Sequence, residues 1–299
     1  MTQEQVIASR ELFLASFAQA RSTASLSRSM PQIVRAMRDV YREPGEAVFR
    51  IGDASESVFF IASGRVELVR GERRLSYGER MVVGTDDVLL ERKRTRDAIA
   101  LTHAHLLELP ETTWLEILED NVEAARGALA GMSGALDALE LQREGAEPVL
   151  AEDDAPVSAP RTDALTLVDR LVLLRSVEPF RRARVQTLAS LARAVHVVEL
   201  ADGEQIYGAS EPRHAHHIVV RGAIETTRVD PERSQRFGRG ELVLGAASFV
   251  HHARFVAKAR GDSVVLRLPE EAFLDVAEDH FDLIRTIFAW IAERRDKLV

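Results

Sequence analysis

The chain has 299 residues, 46% of them hydrophobic and 29% charged, with a formal net charge of -8. Such proportions fit a globular chain of about two domains and exclude disorder along the whole length. With no cysteine, disulfides, thiolate zinc sites, iron–sulfur clusters and cysteine nucleophiles are excluded together.

The first residues, Met1-Thr2-Gln3-Glu4-Gln5, lack the basic start and apolar core of a signal peptide. No apolar run reaches the ~18 to 20 residues that a bilayer requires. A cytoplasmic location without a membrane partner is expected. Residues 1–30 read as an N-terminal helical segment, with Val6, Phe13, Leu14 and Phe17 on one stripe.

From residue 31 a helix-spaced set (Ile33, Met37, Val40, Tyr41) gives way to short extended runs. These are Ala47-Val48-Phe49, Val58-Phe59-Phe60-Ile61 and Arg65 to Val69, punctuated by Gly45, Gly52, Gly64 and Gly71. Strands separated by glycine turns argue for a β-sandwich or jelly roll. A closing strand, Leu106 to Leu109, leads through Pro110 into a helix. Proline suits a helix start, and Glu111 suits its positive end. In 121–141, Val122, Ala125, Leu129, Met132, Leu136 and Leu139 follow alternating spacings of three and four, an a/d seam of the kind that pairs helices. The expected occupant is either the equivalent helix of a second chain, giving a homodimer, or a β-domain of the same chain. Residues 142–162, rich in proline, acid and small polar residues, read as a linker.

The chain then repeats itself. LELPETTWLEILED (107–120) returns as LRLPEEAFLDVAED (266–279), displaced by 159 positions, with Leu107/Leu266, Pro110/Pro269, Glu119/Glu278 and Asp120/Asp279 among the identities. Upstream, Gly45-Glu46 and Gly64 match Gly203-Glu204 and Gly222. Gly78-Glu79 and Gly84 are matched with Gly240-Glu241 and Gly245. So long a period means two copies of one domain rather than a solenoid. The expected division is 31–141 and 163–299, the second copy closing on a helix at 281–296 with Phe281, Ile284, Phe288 and Ile291 in one stripe.

The stretches PGEAVFRIGDASESVFFIASGRVEL (44–68) and DGEQIYGASEPRHAHHIVVRGAIE (202–225), each followed by a second glycine turn, an arginine and L-x-L-P-E, resemble the cyclic-nucleotide-binding domain. That family includes bacterial catabolite activators and kinase regulatory subunits. The resemblance implies a mainly β fold with flanking α-helices: two jelly-roll (double-stranded β-helix) domains in tandem. It also implies a phosphate cassette, usually F-G-E-x-A-L followed by R-[ST]-A. There the N–H groups of a short helix and an arginine hold the phosphate, and the glutamate accepts a ribose hydroxyl. The expected correspondences in copy one are Gly84, Arg96 and Ala98, with Thr85 at the glutamate. In copy two they are Gly245 and Arg254, with Ala246 at the glutamate and Phe255 where a small hydroxyl residue is usual. Losing a charged hydrogen bond costs about 1.5–3 kcal/mol, roughly 10- to 150-fold in affinity. Asp86, Asp87 and Asp97 add negative charge beside the phosphate position; at ~6 Å one such charge opposes an anion by ~3 kcal/mol.

In catabolite-activator relatives the helix after the roll is the dimerisation helix, and a winged helix-turn-helix follows in transcription activators. Here a second β-domain takes that place, with no basic recognition helix and no nucleic-acid partner expected. No phosphate-loop motif or serine-hydrolase elbow occurs. The histidines include a cluster, His214, His216 and His217, plus His251 and His252; Gly208 with His214 and His216 resembles the opening of a metal-binding cupin pattern, but Val220 and Arg221 stand where it needs a glutamate. The leading expectation is a non-enzymatic regulatory or adaptor protein with degenerate ligand sites, no cofactor and a protein partner. The alternatives are a genuine cyclic-nucleotide sensor and, behind it, a metal-dependent cupin.

Overall fold

The computed structural model describes residues 34–142, 165–209, 214–229, 232–250 and 255–298. The expected N-terminal helical segment, most of the linker, and Arg254, His251 and His252 lie outside them.

In the first copy, β1 (Arg38–Arg42), β2 (Ala47–Phe49), β3 (Ser57–Ser63), β4 (Val66–Arg70), β5 (Arg73–Tyr77), β6 (Val82–Val83), β7 (Asp97–Ala100) and β8 (Ala104–Pro110) form two four-stranded sheets. Their orders are β1-β8-β3-β6 and β2-β7-β4-β5, with every pairing antiparallel. Phe59 and Ile61 on β3 face the roll interior with Val66, Leu68, Val83, Ala98 and Leu106. Val58 and Phe60 project the other way and are buried too, beneath α2 (Glu111–Asp120), which packs on β3 and β8. Burial of both faces explains why β3 reads as an apolar run instead of an alternation. Between β6 and β7 sits the short α1 (Thr85–Leu89).

The second copy opens with α4 (Leu167–Ser176) and α5 (Val185–Ala194). Thr166 and Asp169 form a reciprocal capping box at the start of α4. Then come β9 (His196–Leu200), β10 (Gln205–Tyr207), β11 (Ala215–Val229), β12 (Glu232–Phe237) and β13 (Phe255–Pro269). These correspond to the first copy strand for strand, except that β11 spans the places of β3 and β4, β13 spans those of β7 and β8, and β6 is reduced to a single bridge between Ile218 and Leu242. The register repeats as well: Ser57 opposes Pro110 as Ala215 opposes Pro269. Pro110 and Pro269 both stand at the N-cap, of α2 and of α6 (Glu270–Asp279). The fold is thus mainly β with flanking helices, two jelly rolls in tandem.

One difference between the copies matters for the site. The β4–β5 hairpin closes on the pair Arg70–Arg73, whereas β11–β12 adds a further pair, Val229–Glu232, beyond the equivalent Arg228–Arg233. The second hairpin is therefore two residues longer, and everything after it is displaced.

Two long helices complete the chain: α3 (Val122–Gln142) and α7 (Phe281–Leu298). Ala125, Leu129, Met132 and Leu136 of the heptad seam are buried within the single chain, with Val122 and Leu139 intermediate. The seam expected to meet a second copy is thus already covered. The compact units divide inside these helices rather than at the expected linker. The first comprises residues up to Leu129 together with Ile291–Val299; the second is Ala130–Trp290. Each copy's β-roll is grouped with the end of the other copy's closing helix.

In the second unit, His217 is buried on β11 directly opposite Arg267 of β13. Burial, aided by the Arg267 charge, lowers its pKa from 6.5 to about 4. A depressed folded-state value means that the unfolded chain binds the proton first. The contribution of neutral His217 is complete above pH ~6.5 and is lost as pH falls towards 4, at about 3 kcal/mol in all. Thermal unfolding followed between pH 7.5 and 4 should show this loss, and His217→Gln should flatten it.

Candidate functional site

The site of the first copy is built where β6 ends. Gly84 takes φ +87° and turns the chain into α1. A Cβ there would stand 2.7 Å from Arg94 Nη1, because the Arg94 guanidinium lies under the turn. It donates to the Gly84 carbonyl at 2.6 Å and to the Ser57 carbonyl, and rests over the Phe49 ring at 4.3 Å. Gly84 is therefore required both by backbone conformation and by close approach. Phe49, Leu68, Tyr77, Val82, Val83, Gly84, Thr85, Asp86, Asp87, Arg96 and Arg295 line a cavity of about 280 Å3.

Arg96, expected at the phosphate, is 3% exposed and already engaged. Its Nη1 donates to Asp86 Oδ2 at 3.2 Å and its Nη2 to Asp296 Oδ1 at 2.8 Å. Asp86 also receives Arg295 Nη1 at 2.8 Å, while Arg295 Nη2 reaches the Tyr77 hydroxyl at 3.1 Å. Asp87 accepts from Arg92 Nε at 2.9 Å, the Thr95 hydroxyl at 2.8 Å and the Thr95 N–H at 3.2 Å. Asp86 and Asp87, two of the three acids that the sequence places near the phosphate, are thus buried in arginine pairs. Asp97 lies apart from them, and its Oδ1 accepts the Ile51 N–H at 2.7 Å. Thr85, at the position of the family's glutamate, is buried, as is Ala98 on the ladder.

Asp296 lies on the last turn of α7, and no local sequence pattern marks it as a site residue. Its carboxylate receives Arg70 Nη1 at 2.7 Å, Arg92 Nη1 at 3.1 Å, Arg92 Nη2 at 2.9 Å and Arg96 Nη2 at 2.8 Å. Its main-chain oxygen accepts Arg70 Nη2 at 2.5 Å. Burial pushes its pKa up, but the Arg92 hydrogen bonds and the charges of Arg92, Arg70 and Arg96 outweigh this and hold it below the usual carboxylate value.

The second copy corrects the sequence-based correspondence. Phe59 opposes Val83 across β3–β6. At the matching place, Val243 N–H donates to the His217 carbonyl. Leu244, not Gly245, therefore stands where Gly84 stands, and it takes φ +69°. Likewise Gly78 corresponds to Gly238. Met81 N–H bonds the Gly78 carbonyl as Glu241 N–H bonds the Gly238 carbonyl, and Gly240 (φ +78°) falls at the place of Arg80 (φ +63°). The acid position is thus Gly245 rather than Ala246, and Ala246 takes the place of Asp86. On β13, Ala257 opposes Thr226 as Ala98 opposes Leu68, so Phe255, not Arg254, occupies the position of Arg96. Phe255 is buried in a cluster with Tyr207, Leu244 and Ala247, and the Arg228 guanidinium lies 5.2 Å over its ring. The offset between equivalent residues is thus 158 before the hairpin, 160 from its far side to Leu244 and 159 on β13.

His216 and His217, adjacent on a strand, face opposite sides. His216 contacts the Phe249 and Phe273 rings at 4.9 and 5.0 Å, and His217 the Tyr207 ring at 6.3 Å. Among the described residues no three His, Cys, Asp or Glu side chains form a group able to hold a metal, nor is any helix long and apolar enough to cross a membrane.

The model of the cyclic nucleotide-binding domain matches residues 40–121 and 197–280. With more than half of its length matched in two places, the chain belongs to this family, with two such domains in tandem. It is similar to the neuropathy target esterase sws of Drosophila ananassae, 26% identical over 143 residues, which are 44% of this chain and 9% of that protein. The chain thus spans about a tenth of that relative's length. Among solved structures, the regulatory domain of Toxoplasma gondii PKA with cAMP is 17% identical, with 95% of each chain covered and a TM-score of 0.34. The sensor domain of the transcriptional regulator DNR from Pseudomonas aeruginosa is 21% identical over 45% of this chain and 93% of that one, with a TM-score of 0.40.

Proposed function

We propose that this chain is a non-enzymatic regulatory or adaptor module that works through contacts with a protein partner, with ligand sensing in both domains reduced or lost. The observation that carries this reading is the fate of the phosphate arginine. In the second domain a buried phenylalanine, Phe255, takes its place on the ladder. In the first, Arg96 is retained but shared between Asp86 and Asp296. A cyclic nucleotide entering the first site would have to displace Asp296 and place its anion beside buried Asp86, which repels it. It would also find Thr85 where the ribose needs a carboxylate.

Titration calorimetry with cAMP and cGMP is expected to show no binding in the micromolar range. Neither nucleotide should raise the unfolding temperature, as a native-state ligand must. A micromolar isotherm with matching thermal stabilisation would restore the sensor reading.

A further inference from the structure

We infer that the last turn of α7 carries a built-in ligand. The Asp296 carboxylate occupies an oxyanion site formed by Arg70, Arg92 and Arg96, and a phosphate group in solution competes with it for that site. This deepens the reading above by naming what holds the first domain shut.

Three observations support it. First, a single carboxylate collects four guanidinium N–H contacts from three arginines on two separate parts of the roll, the end of β4 and the segment between α1 and β7. Planar bidentate contacts of this kind are how arginine clusters hold carboxylates and phosphates alike. Second, Asp296 is the carboxylate that all three arginines share, whereas Asp87 pairs with Arg92 and Asp86 with Arg96, which shares it with Arg295. Third, Arg96 Nε is buried without a hydrogen-bond partner. A carboxylate has two oxygens and leaves this donor unused; a phosphate brings more acceptors to the same place.

The second copy supplies an internal control. Asp137 of α3 lies at the repeat's own spacing from Asp296, and it pairs with Arg228, the equivalent of Arg70, at 2.6 Å. The contact is thus made twice, in each compact unit by the end of a closing helix. In the second unit Phe255 replaces the phosphate arginine, so the same carboxylate there serves as a clasp and covers no oxyanion site.

The test uses the full chain and calorimetric unfolding, with sodium phosphate compared against sodium chloride at matched ionic strength. Asp296→Ala should melt on the order of 5 °C lower, and phosphate should recover much of that loss while chloride does not. Wild type and Asp137→Ala should respond to the two salts alike, and adding Arg96→Gln to Asp296→Ala should abolish the recovery. Asp296→Asn, read by broadening of the orthophosphate 31P resonance, covers the case in which the alanine variant folds poorly. Recovery by cAMP at lower concentration than orthophosphate would support the inference with a nucleotide as the phosphate source; recovery by orthophosphate alone would support it with the free ion. Equal effects of phosphate and chloride on Asp296→Ala, or an equal phosphate gain in wild type, would overturn it. Micromolar cAMP binding by wild type would overturn the functional reading and leave this comparison standing.

Discussion

Asp86→Ala should destabilise the first compact unit by about 3–5 kcal/mol. Asp86 bridges two guanidiniums, Arg96 at 3.2 Å and Arg295 at 2.8 Å, and all three side chains are 7% exposed or less. Burial disfavours the charged form of Arg295, and the Asp86 charge and the Tyr77 contact offset that and keep its pKa raised. Removing the carboxylate leaves Arg295 with the Tyr77 hydroxyl and Arg96 with Asp296, so one buried cation loses its counter-charge. The intact network need not be worth as much as its rupture costs, since desolvating three charges absorbs most of their mutual attraction. The measurement is a denaturant midpoint for the first unit. Adding Arg295→Met should recover part of the loss, because a well-packed apolar side chain leaves no orphan charge. A single variant within about 0.5 kcal/mol of wild type, the range of ordinary surface changes, would mean that the network is solvated.

Gly64→Ala and Gly222→Ala should each cost about 2–5 kcal/mol, from αL strain and overpacking together. The two glycines are equivalent, one per copy, at φ +86° and +76°. Gly64 is pressed against the residues at the start of β8, and Gly222 against Asp262 and Ser263 within β13. A Cβ on Gly64 would run into the His103 carbonyl oxygen and stand 2.8 Å from Ala104 Cα. One on Gly222 would run into Ser263 Oγ and stand 2.9 Å from the Asp262 carbonyl oxygen. Backbone cannot swing aside as a side-chain tip can. Gly45, at φ +88° with nothing within 4 Å of its virtual Cβ, has the strain without the collision, and Gly45→Ala should cost only about 1–2 kcal/mol. Urea unfolding of the three variants checks the ordering; equal losses at Gly45 and Gly64 would mean that conformation alone sets the cost.

The β-rolls were legible because their signals are local and duplicated. L-x-L-P-E marks a strand ending at a proline N-cap, and it does so at Pro110 and at Pro269. The cassette of the second copy was not, because glycine identity is an unreliable marker of backbone position. Leu244 and Arg80 adopt positive φ without being glycine, while a two-residue extension of a hairpin moves the register beneath them. Aligning Gly84 with Gly245 follows the residue type and misses the ladder. The contact of Asp296 with Arg96 is 200 positions long in sequence, and no local pattern announces it. Its trace lay in the repeat: Arg70 and Arg228 lie 158 positions apart and Asp137 and Asp296 159, a charge pair written twice. The α3 heptad was correctly a burying stripe, but periodicity gives a helix an apolar face without saying what lies against it.

β11 and β13 each run 15 residues, whereas the first copy divides the same path into β3 and β4, β7 and β8. The longer strands are nevertheless irregular at the corresponding places: the β11–β13 register shifts between Val219 and Ala223, and Gly222 and Gly261 take φ +76° and +71° there. Gly64, between β3 and β4, takes φ +86°. Both modules therefore turn the same corner on a glycine, and an uninterrupted strand is no sign of a stiffer roll.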